Sequence, residues 1–186
     1  RTGGTSDDPS TEYTITNSGK IFSTTTGNKS SVLFGNVNSS GGTITNNSGA
    51  EIYSGGNAAT IKVGGTTTIK NSGSIKNNTS VDDNVIELLG SNNTVTLEEG
   101  STLVGKISSA SGTSGNTLKL NLGAGQGYFY ETSGDFTLED LDGNQVVKGS
   151  AGSVGQGGSE TLDELLSYKS MNLRKFFSKY NKLNDK

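Results

Sequence analysis

Apolar and polar residues alternate in short runs along the first half of the chain, and each run ends in the same kind of corner. Ile15-Thr-Asn-Ser-Gly-Lys-Ile21 returns as Ile44-Thr-Asn-Asn-Ser-Gly-Ala-Glu-Ile52, then as Ile69-Lys-Asn-Ser-Gly-Ser-Ile75, and more loosely as Val95-Thr-Leu-Glu-Glu-Gly-Ser-Thr-Leu103. The lead residues are 29, 25 and 26 positions apart, a period that suits the coils of a solenoid better than one globular core. Period-two alternation predicts half-buried strands, and Asn with Gly can supply the left-handed backbone of a tight corner. Each copy therefore predicts strand, bend, strand.

A second series lies between these phrases: Val32-Leu-Phe34, Ile61-Lys-Val63, Ile86-Glu-Leu88 and Leu118-Lys-Leu120. Its leads are 29, 25 and 32 positions apart, so its first two intervals equal those of the first series. Two series in step imply one coil per repeat. The expected fold is an all-β solenoid, a parallel β-helix of about four or five coils.

Composition sharpens this reading. Only 28% of the residues are hydrophobic, and 28 glycines stand against one proline, Pro9. So low an apolar content would ordinarily leave a chain disordered, because burial could not offset the entropy of ordering. Stacking removes the difficulty, since a narrow coil needs few inward aliphatics per turn while its backbone pairs with neighbouring coils. Random Asn/Ser/Thr/Gly sequence would not keep two strand series in register.

The texture divides the chain into zones. Residues 1–12 are a polar linker, and 13–122 carry the coils. Residues 123–148 are expected to form a capping β-hairpin, with Phe136-Thr-Leu138 paired to Val146-Val147 across the Asp142-Gly-Asn144 turn; Tyr128-Phe129-Tyr130 belongs to the same zone. Such a cap would cover the last unpaired edge of the stack. Residues 149–159 are a Gly/Ser linker, and 160–183 predict an amphipathic helix opened by the capping box Thr161-Leu-Asp-Glu164. Acidic residues at its start and Arg174, Lys175, Lys179 and Lys182 toward its end suit the helix dipole.

Charge and candidate chemistry exclude more than they suggest. The net charge of −3, without a basic patch, gives no case for nucleic acid as a partner. With no His and no Cys, a Ser-His-Asp triad, a Cys-His pair, a disulfide or a thiolate metal site cannot be built within the chain. Asp82 and Asp83 are the best-placed carboxylates for catalysis, but an Asp-Asp-Asn corner is ordinarily a solvated turn. Asp140, Asp142 and Asn144 alternate as in a calcium loop, yet Gly143 is out of place and Ala151 stands where a bidentate Glu would be needed. No catalytic, cofactor or metal residue is assigned, and no cofactor is expected. Thr14-Ile-Thr16, Thr43-Ile-Thr45 and Thr94-Val-Thr96 could array hydroxyls outward, although Lys70 interrupts the array in the Ile69 coil.

Asp83-Asn-Val-Ile-Glu-Leu-Leu-Gly-Ser-Asn-Asn-Thr-Val-Thr-Leu-Glu-Glu-Gly-Ser-Thr-Leu-Val-Gly-Lys-Ile107, followed by Gly115-Asn-Thr-Leu-Lys-Leu120, resembles the passenger region of bacterial type V autotransporters. The resemblance covers roughly residues 13–147. It implies a right-handed parallel β-helix exposed outside a Gram-negative outer membrane. It also implies that the C-terminal coils and cap nucleate folding, and that an outer-membrane β-barrel is the translocating partner. The helix at 160–183 would match the linker leading to that barrel. The chain opens on Arg1 without an initiating Met, the form of a processed product or an excised fragment.

The function expected on this basis is a noncatalytic rod or stalk, secreted or surface-exposed, with a role in adhesion or virulence. It would contact host surfaces or neighbouring cells, or associate with itself. The alternative is the stalk of a subtilisin-like protease whose catalytic domain lies outside this chain.

Overall fold

A computed structural model of the chain describes residues 12–24, 32–34, 41–77, 83–123 and 130–142. All of its regular structure is β. In chain order the strands are β1 (Tyr13–Asn17), β2 (Lys20–Ser23), β3 (Leu33–Phe34), β4 (Gly42–Asn46), β5 (Glu51–Ser54), β6 (Ile61–Val63), β7 (Thr67–Asn71) and β8 (Ser74–Asn77). They continue with β9 (Asn84–Leu88), β10 (Thr94–Glu98), β11 (Thr102–Val104), β12 (Lys106–Ser109), β13 (Thr117–Asn121), β14 (Thr132–Ser133) and β15 (Thr137–Asp140).

Every strand pairs in parallel with the strand one coil away, giving three sheets: β1-β4-β7-β10-β13-β15, β2-β5-β8-β11 and β3-β6-β9-β12-β14. The described strands make up four turns of three strands each, followed by strands of two further rungs. At about 4.8 Å per rung, the six-stranded sheet is roughly 24 Å tall. This is the parallel β-solenoid that the two strand series predict.

One strand of the second series is reassigned. Leu118 pairs with Val95 and so continues the first sheet, whereas Ile107 follows Ile86 in the third. The cause is a short coil. Between β11 and β12 the chain turns on Gly105 alone, at φ +118°, and a Cβ there would lie 2.7 Å from the Asp83 carbonyl oxygen. That corner brings the third-sheet strand forward and makes the interval of 32 span more than one coil.

Inward residues stack in columns. Ile44, Ile69, Val95 and Leu118 from the first sheet meet Ile52 and Ile75 from the second and Ile61, Ile86 and Ile107 from the third, all essentially inaccessible to water. Each fully buried aliphatic of this kind is worth about 1.5–3 kcal/mol relative to exposure. Few apolar residues therefore suffice.

The repeated corner is held by a ladder of asparagines. Asn17, Asn46 and Asn71 occupy one inward column in register. Asn17 Nδ2 donates to Asn46 Oδ1 at 2.8 Å, and Asn46 Nδ2 donates to Asn71 Oδ1 at 2.8 Å. Their oxygens also accept the amides of Gly19 and Gly73 two residues on, at 3.1 and 3.2 Å, so the ladder shapes the bend as well as joining the rungs. In the next two rungs the column becomes Leu97 and Leu120. The corner glycines differ in what requires them. Gly49 has φ +76°, whereas Gly73 is fixed by close approach, since a Cβ would lie 2.4 Å from the Ala50 carbonyl oxygen.

A second buried pair does similar work at the start of the first-sheet strands. Asn93 Oδ1 accepts the Thr67 amide and Asn116 Oδ1 accepts the Asn93 amide, each at 2.8 Å. Buried backbone groups are thereby satisfied across rungs where the strand ladder has not begun.

In the zone 123–148, the first arm of the expected hairpin forms β15, which pairs in parallel with β13 as a further rung. Val146-Val147, Tyr128-Phe129, residues 1–11 of the 1–12 linker, the linker 149–159 and the helix 160–183 lie outside the described residues. Tyr130 and Phe136 are buried and join the core at this end.

Candidate binding face

The outward columns follow from the inward ones by alternation. Since Ile15, Ile44, Ile69, Val95, Leu118 and Leu138 point in, the residue before each points out. Those residues are Thr14, Thr43, Thr68, Thr94, Thr117 and Thr137, aligned in register across all six rungs. The next outward column reads Thr16, Thr45, Lys70, Thr96, Lys119 and Glu139. Lys70 therefore interrupts only this second column. The first is continuous, and aligning the chain on its inward aliphatics would have shown it.

Threonine suits such a face because its branched Cβ restricts χ1 and its hydroxyl both donates and accepts. The charges beside the column are paired: Lys70 with Glu98 at 3.0 Å and Lys119 with Glu139 at 2.9 Å. On the third sheet, Lys62 and Glu87 pair at 2.7 Å. What the six-stranded sheet presents is a regular array of hydroxyls.

The second sheet has a different outer face. The register sets Lys20 beside Glu51, and Phe22 beside Tyr53. Phe22 is 61% exposed, and together the four side chains line a concavity of about 300 Å³. Glu51 Oε2 lies 3.3 Å from Lys20 Nζ and its Oε1 lies 3.2 Å from Lys76 Nζ. Hydrogen bonds from Lys76 and then Lys20 hold the Glu51 carboxyl below its ordinary value. Sequence reasoning passed over this cluster, although Ile21 and Ile52 pointing inward imply that Phe22 and Tyr53 point outward.

The acidic candidates fall elsewhere. Asp82 and Asn144 lie outside the described residues. The carbonyl oxygen of Asp83 accepts the Lys106 amide at 2.9 Å, which ties that corner to the next coil. Asp140 Oδ1 accepts the Asp142 amide at 3.1 Å, and Asp142 Oδ2 accepts the Gly123 amide at 2.9 Å. These two carboxylates thus organise a turn with backbone donors. Among the described residues no three acidic side chains converge to hold a metal ion, and no helix is long and apolar enough to cross a membrane. Compared with family models, with curated proteins and with solved structures, the chain matches none.

Proposed function

We propose that this chain is a noncatalytic β-helical segment of a secreted or surface-exposed autotransporter passenger. In this reading it serves as rod and adhesive face, reaches the exterior through an outer-membrane β-barrel, and folds from its C-terminal coils. The observation that carries the adhesive part is the unbroken outward column Thr14-Thr43-Thr68-Thr94-Thr117-Thr137. A rigid parallel sheet repeats one hydroxyl at every rung, and such repetition favours many weak contacts made together over one deep pocket. The folding part draws support from the change of corner column from Asn to Leu97 and Leu120, with Tyr130 and Phe136 buried beyond them.

The test is adhesion by the purified chain coupled to beads, measured on epithelial cells and on bacterial cells. Thr14→Glu with Thr68→Glu should reduce retention several-fold while leaving thermal stability nearly unchanged, since both positions are exposed and the Thr43 rung separates the two new charges. Folded protein that binds neither cell type would sink the adhesive reading.

A further inference from the structure

Phe22 has no role in the core: it points away from it, yet it is an aromatic ring left largely in water. Its in-register neighbour is another aromatic, Tyr53, and the column beside them is the ion pair Lys20–Glu51. The two rings lie about one strand spacing apart, roughly 4.8 Å, forming an apolar strip two rungs long. Such a strip matches the C–H face of a sugar ring or two. It is too small for a protein interface, which buries many hundreds of Å². The concavity, about 300 Å³, lies at the lower end of the range for small-ligand sites.

Charge decides which sugar. Both oxygens of Glu51 are engaged, one by Lys20 and one by Lys76, so two ammonium groups share one carboxylate and the cluster carries +1. The other outward residues described on this sheet near it, Ser74, Thr102 and Val104, are uncharged. Lys20 is 72% exposed, and an ammonium has three donors, so it can keep Glu51 and still receive a second carboxylate. Glu51 meanwhile orients both lysines.

We infer that Lys20, Phe22, Glu51 and Tyr53 form a binding site for an acidic oligosaccharide, one whose sugar rings carry carboxylates. The sugar's apolar face lies on Phe22 and Tyr53 while its carboxylate meets Lys20. This rests on the adhesive reading above and gives it a ligand class.

The experiment is isothermal titration of the whole chain with a galacturonic acid trimer and, in parallel, with the neutral galactose trimer. The acidic trimer should bind more tightly, and its affinity should fall as salt is raised. Phe22→Ala and Tyr53→Ala should each weaken it roughly tenfold, as the loss of a stacked ring predicts. Lys20→Gln should erase the preference for acid over neutral sugar. All three side chains face solvent, and circular dichroism checks that each variant folds. Absence of binding at millimolar trimer, equal binding of both trimers, or indifference to Phe22→Ala and Tyr53→Ala would each overturn the proposal. The bead assay separates the two ideas. Cell adhesion that survives Phe22→Ala and Lys20→Gln together leaves the adhesive reading standing without this site; trimer binding by a chain that retains no cells leaves the site without the reading.

Discussion

Replacing Asn46 tests the physical basis of the coil most directly. Its side chain is wholly buried. Its Oδ1 accepts from Asn17 at 2.8 Å, and its Nδ2 donates to Asn71 Oδ1 at 2.8 Å and to the Ser74 carbonyl oxygen at 3.2 Å. After Asn46→Ala the neighbours are not stranded: Asn17 Nδ2 still reaches the Glu51 carbonyl oxygen, and Asn71 Oδ1 still accepts the Gly73 amide. The loss is therefore two or three net hydrogen bonds at about 1 kcal/mol each, plus a small cavity, together about 2–4 kcal/mol. Asn17 has one ladder neighbour instead of two but also bonds the Glu51 carbonyl oxygen and the Gly19 amide, and its removal takes the donor from the buried Asn46 Oδ1, so Asn17→Ala should likewise cost about 2–4 kcal/mol. Urea denaturation followed by far-ultraviolet circular dichroism reads both values. A double-mutant cycle of Asn46 with Asn71 should give about 1 kcal/mol of coupling, while Asn17 with Asn71, which do not touch, should give much less. Asn46→Leu separates the two terms, because Leu97 shows that the column admits leucine two rungs away. It fills the cavity and adds apolar burial of about 1.5–3 kcal/mol that offsets much of the hydrogen-bond loss, so it should be more stable than Asn46→Ala. If the cycle of Asn46 with Asn71 showed no coupling and Asn46→Ala cost less than about 1 kcal/mol, the asparagine ladder would be a bystander of the fold and the reasoning refuted.

Other consequences are open to measurement. Gly73→Ala should destabilise by about 1–3 kcal/mol, because its Cβ would meet two backbone carbonyls that cannot swing aside; Gly19→Ala, with open space around it, should change stability by less than about 0.5 kcal/mol. Burial raises the Tyr13 hydroxyl above its ordinary value of 10.0, with the bond to Thr67 acting the other way. The folded state thus holds that proton more tightly, so the contribution is complete below about pH 10 and is lost as pH rises through the folded-state value. Tyr13→Phe should make the alkaline fall in stability shallower. Ile75→Ala should cost about 2–5 kcal/mol by thermal or urea unfolding, as a fully buried aliphatic truncation. Amide exchange should be slower in β10 and β13 than in β1 and β4, and equal protection would contradict the gradient of apolar burial along the stack.

The coil was legible because inward Ile, Val and Leu recur in step with a corner of fixed composition. Period-two alternation then dictates which residues face out, so even the threonine column was implicit in the sequence. It was missed because Thr68 precedes Ile69 without a second Thr after it, and a search for Thr-x-Thr triplets passes over that rung. Leu118 was misplaced for a different reason. Coil length here is set by corners, and a corner can shrink to Gly105 when the backbone adopts a left-handed conformation against the Asp83 carbonyl oxygen. Composition does not announce which glycine does this. The aromatic pair escaped for a third reason: Phe22 and Tyr53 lie 31 residues apart, and only the register of β2 on β5 makes them neighbours.

The corner column also bears on how the stack is ordered. A buried leucine contributes about 1.5–3 kcal/mol through burial alone, whereas a buried asparagine in a satisfied ladder nets about 1 kcal/mol per bond. The rungs holding Leu97 and Leu120 are thus favoured whenever those leucines face inward, with no need for a donor to meet an acceptor. The rungs holding Asn17, Asn46 and Asn71 are favoured only when donor meets acceptor at the right height. A slip of one residue would turn the asparagines outward and leave the corner amides of Gly19 and Gly73 without them. Apolar columns therefore make all the rungs cohere, while buried amides fix their heights: Asn17, Asn46 and Asn71 at the corner of the earlier rungs, and Asn93 and Asn116 at the strand starts of the later ones. That register is what aligns the six threonines and sets Phe22 beside Tyr53, so the outer faces depend on amides buried inside.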